Sequence, residues 1–249
     1  MLRELLGELL EWIYPSGLYC LRCNKPIDRR QPYSLCPDCV KQINWANSGV
    51  CPRCGRLLDR YAGKEFCHDC AAGEKPFLAG AVCTGYGRVE REWLHSFKYR
   101  NQAWLKEPLG QLLAERIAAE KWPLNCVVPV PLHPSRQRSR SYNQAALLSA
   151  VVARRLELPH FPDALLRIKK TEAMSRLSAV ERRSCLTGAF GINPLRGTCL
   201  QHKAVLLIDD IYTTGSTMSE CTKVLLGCGA SAVYVAAFAA AADIRSESI

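Results

Sequence analysis

The sequence has no long low-complexity stretch, no heptad-dominated segment and no glycine every third residue, which excludes coiled-coil and collagen-like chains. It has no G-x-x-x-x-G-K-[ST] loop, so the phosphate cradle of P-loop ATPases is absent. The first segment, MLRELLGELLEWIYP, carries acidic residues within its apolar run and no small-residue cleavage site, so it does not read as a secretory leader. A cytoplasmic setting is therefore expected, where cysteines serve as metal ligands or redox groups rather than as a disulfide framework. Charge-free runs are scarce too. The one near membrane-spanning length, residues 224–242, is interrupted by GCGAS, a turn signal. It reads as a helix end, a turn and a buried strand over Ser231–Ala240, with no membrane span.

Within 249 residues, 48% hydrophobic and 22% charged residues give ordinary globular composition, with enough chain to bury a core. The net charge is +10 and it is uneven. Residues 1–75 hold 11 basic and 9 acidic side chains, leaving 22 and 14 for residues 76–249. A basic excess of that kind suits a polyanion or a phosphate-rich ligand.

Leu2, Leu5, Leu6, Leu9, Leu10 and Ile13 fall at helical spacing and predict a short amphipathic helix ended by Pro15 and Gly17. Residues 18–75 are irregular and rich in Cys, Pro, Gly and Arg, so this stretch needs a staple in place of an apolar core. From Phe77 onward, apolar runs at 78–84, 126–130, 204–208 and 232–239 alternate with helical patterns at 88–99, 103–120, 143–156 and 215–227. That order predicts an α/β domain with a mostly parallel sheet and flanking helices. The composition changes near Glu74–Pro76, which suggests an N-terminal module over 1–75 and an α/β domain over 76–249.

Eight of the 14 cysteines form four Cys-x-x-Cys pairs: Cys20/Cys23, Cys36/Cys39, Cys51/Cys54 and Cys67/Cys70. Twelve residues separate the first two pairs and the last two, and eleven separate the middle ones. This is a repeat of a two-knuckle unit, and each unit offers four thiolates to one tetrahedral ion. Two structural zinc ions are expected, paired sequentially or in interleaved fashion. The remaining cysteines read as small buried residues.

Residues 204–220, AVLLIDDIYTTGSTMSE, read as a buried strand, two acids at its carboxyl end and a loop opening a helix. Ligands of open α/β sheets bind at that edge, and a helix start with a glycine suits a phosphate. Thr213, Thr214, Gly215, Ser216 and Thr217 would meet the phosphate. Asp209 and Asp210 would hold sugar hydroxyls or a magnesium ion.

This segment resembles the signature of type I phosphoribosyltransferases, which bind phosphoribosyl pyrophosphate (PRPP). The resemblance implies that Asp209 and Asp210 take the ribose 2′ and 3′ hydroxyls, that Thr213 to Thr217 take the 5′-phosphate, and that magnesium accompanies PRPP. Purine-type members place an acidic general base where this chain has Thr213. The stretches VPVPLHPSRQRSRSYNQAALL (128–148), LHSFKYR (94–100) and LSAVERRSCLTGAF (177–190), with the cysteine pairs ahead of them, are similar to the ComF/GntX competence family. Met174 and Cys185 depart from the Gln and Asn usual there. The resemblance implies a type I phosphoribosyltransferase-like domain behind a double zinc ribbon. It implies a role in bringing single-stranded DNA into the cytoplasm during natural transformation, with PRPP, single-stranded DNA and other DNA-uptake or recombination proteins as partners. A metabolic phosphoribosyltransferase with a base or amine acceptor, and a non-catalytic PRPP- or DNA-binding scaffold, are the alternatives.

The basic residues fit either phosphate source. Arg136, Arg138 and Arg140 follow a strand end, where guanidinium groups suit pyrophosphate or DNA phosphates. Lys98 lies among Trp93, Phe97 and Tyr99, a mixture able to stack bases but at helical spacing more often core. Residues 167–183 carry a net +4 and, by resemblance, form a lid.

Overall fold

A computed structural model describes residues 18–28, 31–58, 63, 65–73, 75–135, 140–169 and 185–242. The N-terminal helix read at 2–13 lies outside them, as do Arg136, Arg138 and residues 170–183 of the basic stretch.

Contacts divide the chain into two compact units, Met1–Ile43 and Asn44–Ile249. The first holds the cysteines of the first two pairs and a one-turn helix, Pro37–Val40. The second holds the other two pairs together with the whole α/β body. The composition changes at 74–76, but the contacts divide the chain earlier. The second cysteine unit shares a core with the sheet: Cys51, Cys54 and Cys67 are buried with Phe77, Val82, Tyr212, Val235 and Ala237. Its knuckle backbone lies against a strand so closely that two glycines are required. A Cβ on Gly55 would meet the Gly80 carbonyl oxygen at 2.6 Å, and one on Gly80 would meet the Cys54 backbone at 2.9 Å.

Four strands form the main sheet: β1 (Ala79–Gly85), β2 (Cys126–Pro129), β5 (Ala204–Tyr212) and β6 (Ala232–Ala240). Their order is β1-β6-β5-β2 and every pairing is parallel. The two central strands are apolar without alternation because neighbours cover both faces, and Val205 to Ile208 are wholly buried. Four helices follow the strands: α1 (Arg88–Tyr99), α2 (Lys106–Ala118), α3 (Gln144–Arg155) and α4 (Ser216–Gly227). Helix α2 lies on β1 and β6, α3 on β2 and β5, and α4 on β5 and β6. This is the expected α/β architecture.

A second, antiparallel sheet joins β3 (Leu165–Arg167) to β4 (Phe190–Ile192), and no periodicity in the chain points to it. Strands of three residues are too short to show alternation. The charge-free stretch at 224–242 is the end of α4, a turn through Gly229 (φ 99°), and β6. Among the described residues no helix is long and apolar enough to cross a membrane.

Candidate functional site

The cysteines assemble into two four-sulfur groups with sequential pairing: Cys20, Cys23, Cys36 and Cys39, and Cys51, Cys54, Cys67 and Cys70. In each group the four sulfurs lie within 4.8 Å of one another. A zinc–sulfur bond of about 2.3 Å in a tetrahedron requires sulfur–sulfur edges of about 3.8 Å. Cys23 Sγ to Cys36 Sγ is 3.8 Å and Cys54 Sγ to Cys67 Sγ is 3.6 Å. The residues therefore fit zinc in closed, structural sites. The repeat extends to the backbone at an offset of 31 residues. Asn24 N–H donates to the Cys20 carbonyl and Gly55 N–H to that of Cys51, with both residues in the left-handed region (φ 55° and 73°). Cys20 N–H donates to the Lys25 carbonyl, and Cys51 N–H to that of Arg56.

The two copies differ in burial. Cys23 is exposed in the first, whereas three of the four cysteines in the second are buried. A four-thiolate zinc carries a formal charge of −2, so the buried copy needs a counter-charge. Arg56 supplies it. Its guanidinium is buried, pairs with Asp69 at 3.1 Å and stacks 5.3 Å from the Tyr212 ring centroid. Burial alone would lower its pKa, but the Cys67 and Cys54 thiolates and Asp69 raise it, so it stays charged.

Tyr212 leads to the second candidate site. Strand β5 ends at Tyr212 and carries Asp209 and Asp210 just before it. Residues Thr213–Gly215 then turn into α4. Gly215 stands at the helix N-cap with φ 76°, and the helix start has no side-chain cap. Its uncapped amides point away from the helix body, as an anion requires. Glycine is also needed for space, since a Cβ there would lie 2.2 Å from the Tyr212 hydroxyl. Thr214 Oγ1 lies 2.8 Å from Ser216 Oγ and accepts from Ser216 N–H at 3.4 Å. Thr213 is exposed, and Thr214 and Thr217 are half-buried.

The acids are not equivalent. Asp209 Oδ1 accepts the Asp210 amide at 2.8 Å. Burial, followed by the neighbouring Asp210 charge, pushes the Asp209 carboxyl up to about 8. Asp210 is ion-paired with Lys98, from the last turn of α1. Lys98 is held charged: burial lowers its pKa, and Asp210 more than offsets this. Lys98, read from sequence as a phosphate ligand, thus sits on the acid pair.

Arg140 donates to the Tyr99 hydroxyl at 2.9 Å and lies 5.0 Å from that ring's centroid. The aromatic cluster on α1 divides: Trp93 and Phe97 are core residues, while Tyr99 is 60% exposed. The Asn143 side chain caps α3 through Ala145 N–H and donates to the Val130 carbonyl, which fixes the loop after β2.

Sequence reading missed Lys75, Arg56 and Tyr212. Lys75 Nζ donates to the Thr214 carbonyl at 3.1 Å, across 139 residues, and Arg53 donates to the Lys75 carbonyl at 2.9 Å. A lysine in an irregular linker carries no periodic signal, so only the fold reveals it.

Residues 9–71 match the family model described as double zinc ribbon domain. Similar proteins include "Competence protein F" of Haemophilus influenzae, 36% identical over 148 residues, 57% of this chain and 64% of that protein. "DNA utilization protein YhgH" of Escherichia coli K12 is 32% identical over 57% of this chain and 63% of its own length. "Competence protein ComFC" of Streptococcus pneumoniae is 28% identical over 59% and 62%. The chain thus spans less than two thirds of the length of these relatives. Among solved structures, glutamine PRPP amidotransferase from B. subtilis, complexed with ADP and GMP, superposes with a TM-score of 0.38 at 17% identity, over 57% of this chain and 30% of that one. The resemblance to competence proteins of the ComF type, with a parallel α/β body and a cysteine-rich ribbon module, holds.

Proposed function

We propose that this relative of the competence proteins binds PRPP at the carboxyl end of β5 and handles single-stranded DNA in the cytoplasm during its uptake in natural transformation. The observation that carries the reading is the run from β5 through Asp209 and Asp210 to the left-handed Gly215 and the uncapped start of α4. In this reading the Thr213–Thr217 amides and hydroxyls hold the 5′-phosphate, and Asp209 and Asp210 hold the ribose hydroxyls. Ribose hydroxyls reaching Asp210 release the Lys98 ammonium toward the pyrophosphate, which brings magnesium with it. The relatives' names support the DNA role, as does the basic excess of the second unit.

Titration calorimetry with PRPP and magnesium tests the site. The double variant Asp209→Ala/Asp210→Ala should lose binding, and a thermal melt beside the titration checks that the fold survives removal of the partner of the buried Lys98. Unchanged affinity would sink the reading. The complete acid pair and loop also favour a second reading, a phosphoribosyltransferase acting on a base or amine. Release of pyrophosphate from PRPP with such an acceptor, in the absence of DNA, would select it. Binding without turnover would select a scaffold.

A further inference from the structure

The second zinc ribbon and the phosphate loop touch through two side chains that neither zinc binding nor the acid pair explains. Lys75 Nζ donates to the Thr214 carbonyl oxygen at 3.1 Å, and the Lys75 backbone is itself held by Arg53 of the Cys51/Cys54 knuckle at 2.9 Å. A trans peptide is planar, with C=O and N–H on opposite sides. Fixing the Thr214 carbonyl toward Lys75 therefore fixes the Gly215 N–H on the opposite side. The ammonium also polarises that peptide and strengthens the amide as a donor.

The second contact is Arg56. It sits one residue after the knuckle glycine, pairs with Asp69 of the fourth Cys-x-x-Cys at 3.1 Å, and stacks on Tyr212 at 5.3 Å. Tyr212 is the floor of the loop, its hydroxyl being the first atom that a Cβ on Gly215 would strike. Asp69 is one residue before Cys70, so the geometry of the metal centre sets the position of Arg56, and Arg56 sets that of the Tyr212 ring. The first ribbon carries Lys25 and Asp38 at the equivalent positions, in a separate compact unit.

We propose that the second ribbon is a brace for the phosphate loop, with Lys75 and Arg56 as positioning residues, so that the metal ion held by Cys51, Cys54, Cys67 and Cys70 governs the order of residues 213–217 and the ion of the first ribbon does not. As a statement about affinity it rests on the PRPP reading above; as a statement about loop order it does not.

Hydrogen–deuterium exchange on the full chain, with zinc measured in the same preparations, tests the brace. Lys75→Met should keep both zinc ions and speed exchange of the Ser219 amide, whose bond to the Gly215 carbonyl at 2.8 Å reports on the loop, about tenfold, while the amides of β5 between Ala204 and Asp209 stay protected. Lys75→Arg, which retains a donor cation, should restore slow exchange at Ser219. Cys70→Ser should lose one zinc and loosen the same amide, and Cys23→Ser should lose one zinc and leave it unchanged. If Cys70→Ser unfolds the second unit, the Lys75 pair and Arg56→Met decide. Unchanged Ser219 exchange in Lys75→Met, or equal loosening by Cys23→Ser, overturns the brace. PRPP titration of the same proteins separates the two ideas. A wild-type chain that does not bind PRPP removes the functional reading and leaves the exchange result standing. Normal binding by Lys75→Met with unchanged exchange removes the brace alone.

Discussion

Asp209 answers to two opposed demands. A ligand of sugar hydroxyls wants an acceptor at the strand end, yet burial and the Asp210 charge beside it push its carboxyl up to about 8. The folded chain therefore holds a proton there that the unfolded chain releases near pH 4, so this group's contribution to stability is greatest in acid and falls as pH rises from about 4 to about 8. Asp209→Asn removes that dependence. Thermal melts should find the variant level with wild type at pH 4 and about 10–20 °C more stable at pH 8, and equal melting temperatures at pH 8 would contradict the burial argument. Gly215 is the opposite kind of residue, fixed by geometry alone. Gly215→Ala forces a left-handed φ of 76° on an L-residue and sets its methyl 2.2 Å from the Tyr212 hydroxyl. Urea titration should show a loss of about 1–3 kcal/mol. Tyr212→Phe in the same chain should recover part of it, since the hydroxyl it removes has no hydrogen-bond partner among the described residues.

At the scale of elements, the two ribbons are one design in two surroundings. The knuckle backbone bonds around Cys20 and Cys51 repeat, but the first copy presents an exposed Cys23 while the second is walled by the sheet and by Arg56. Metal exchange requires that thiolates leave the ion one at a time with water or chelator access, so exposure sets the rate. A chelator with a colorimetric zinc readout should remove one zinc per chain in a fast phase and the second at least about tenfold more slowly, and only the slow phase should coincide with loss of structure in the α/β body. Two equal phases would mean that the surroundings do not protect the second centre. Helix α1 makes a similar point about a single element. Its buried stripe of Trp93, Leu94 and Phe97 docks it, and its last turn then delivers Lys98 to Asp210.

For the whole molecule the charge is the governing quantity. A net +10, most of it beyond residue 75, predicts single-stranded DNA binding without strong sequence preference and with affinity that falls steeply as salt rises. Filter binding across a salt series should show this. Replacing Arg136, Arg138 and Arg140 by Ala should weaken binding and flatten the slope together. If the triple variant instead loses PRPP and keeps DNA, the arginines serve pyrophosphate alone. A flat slope in the wild type would remove nucleic acid as a partner.

Periodicity and spacing are local properties, and what they encode was legible in the chain. The central strands read as unbroken apolar runs because both faces of β5 and β6 are covered. The four Cys-x-x-Cys pairs announced four-sulfur sites because a knuckle is built within a few residues. The acids and the loop after β5 were legible for the same reason, since strand, turn and helix start are contiguous. Tertiary structure alone decided which cysteine pairs share an ion, because pairing is a matter of proximity and two patterns satisfy the same spacing. It alone placed the second ribbon with the sheet, where a close approach between Gly55 and Gly80 depends on partners 25 residues apart. It also put Lys98 on Asp210 and Lys75 on Thr214, single side chains in contact across more than a hundred residues, for which a sequence has no period to show.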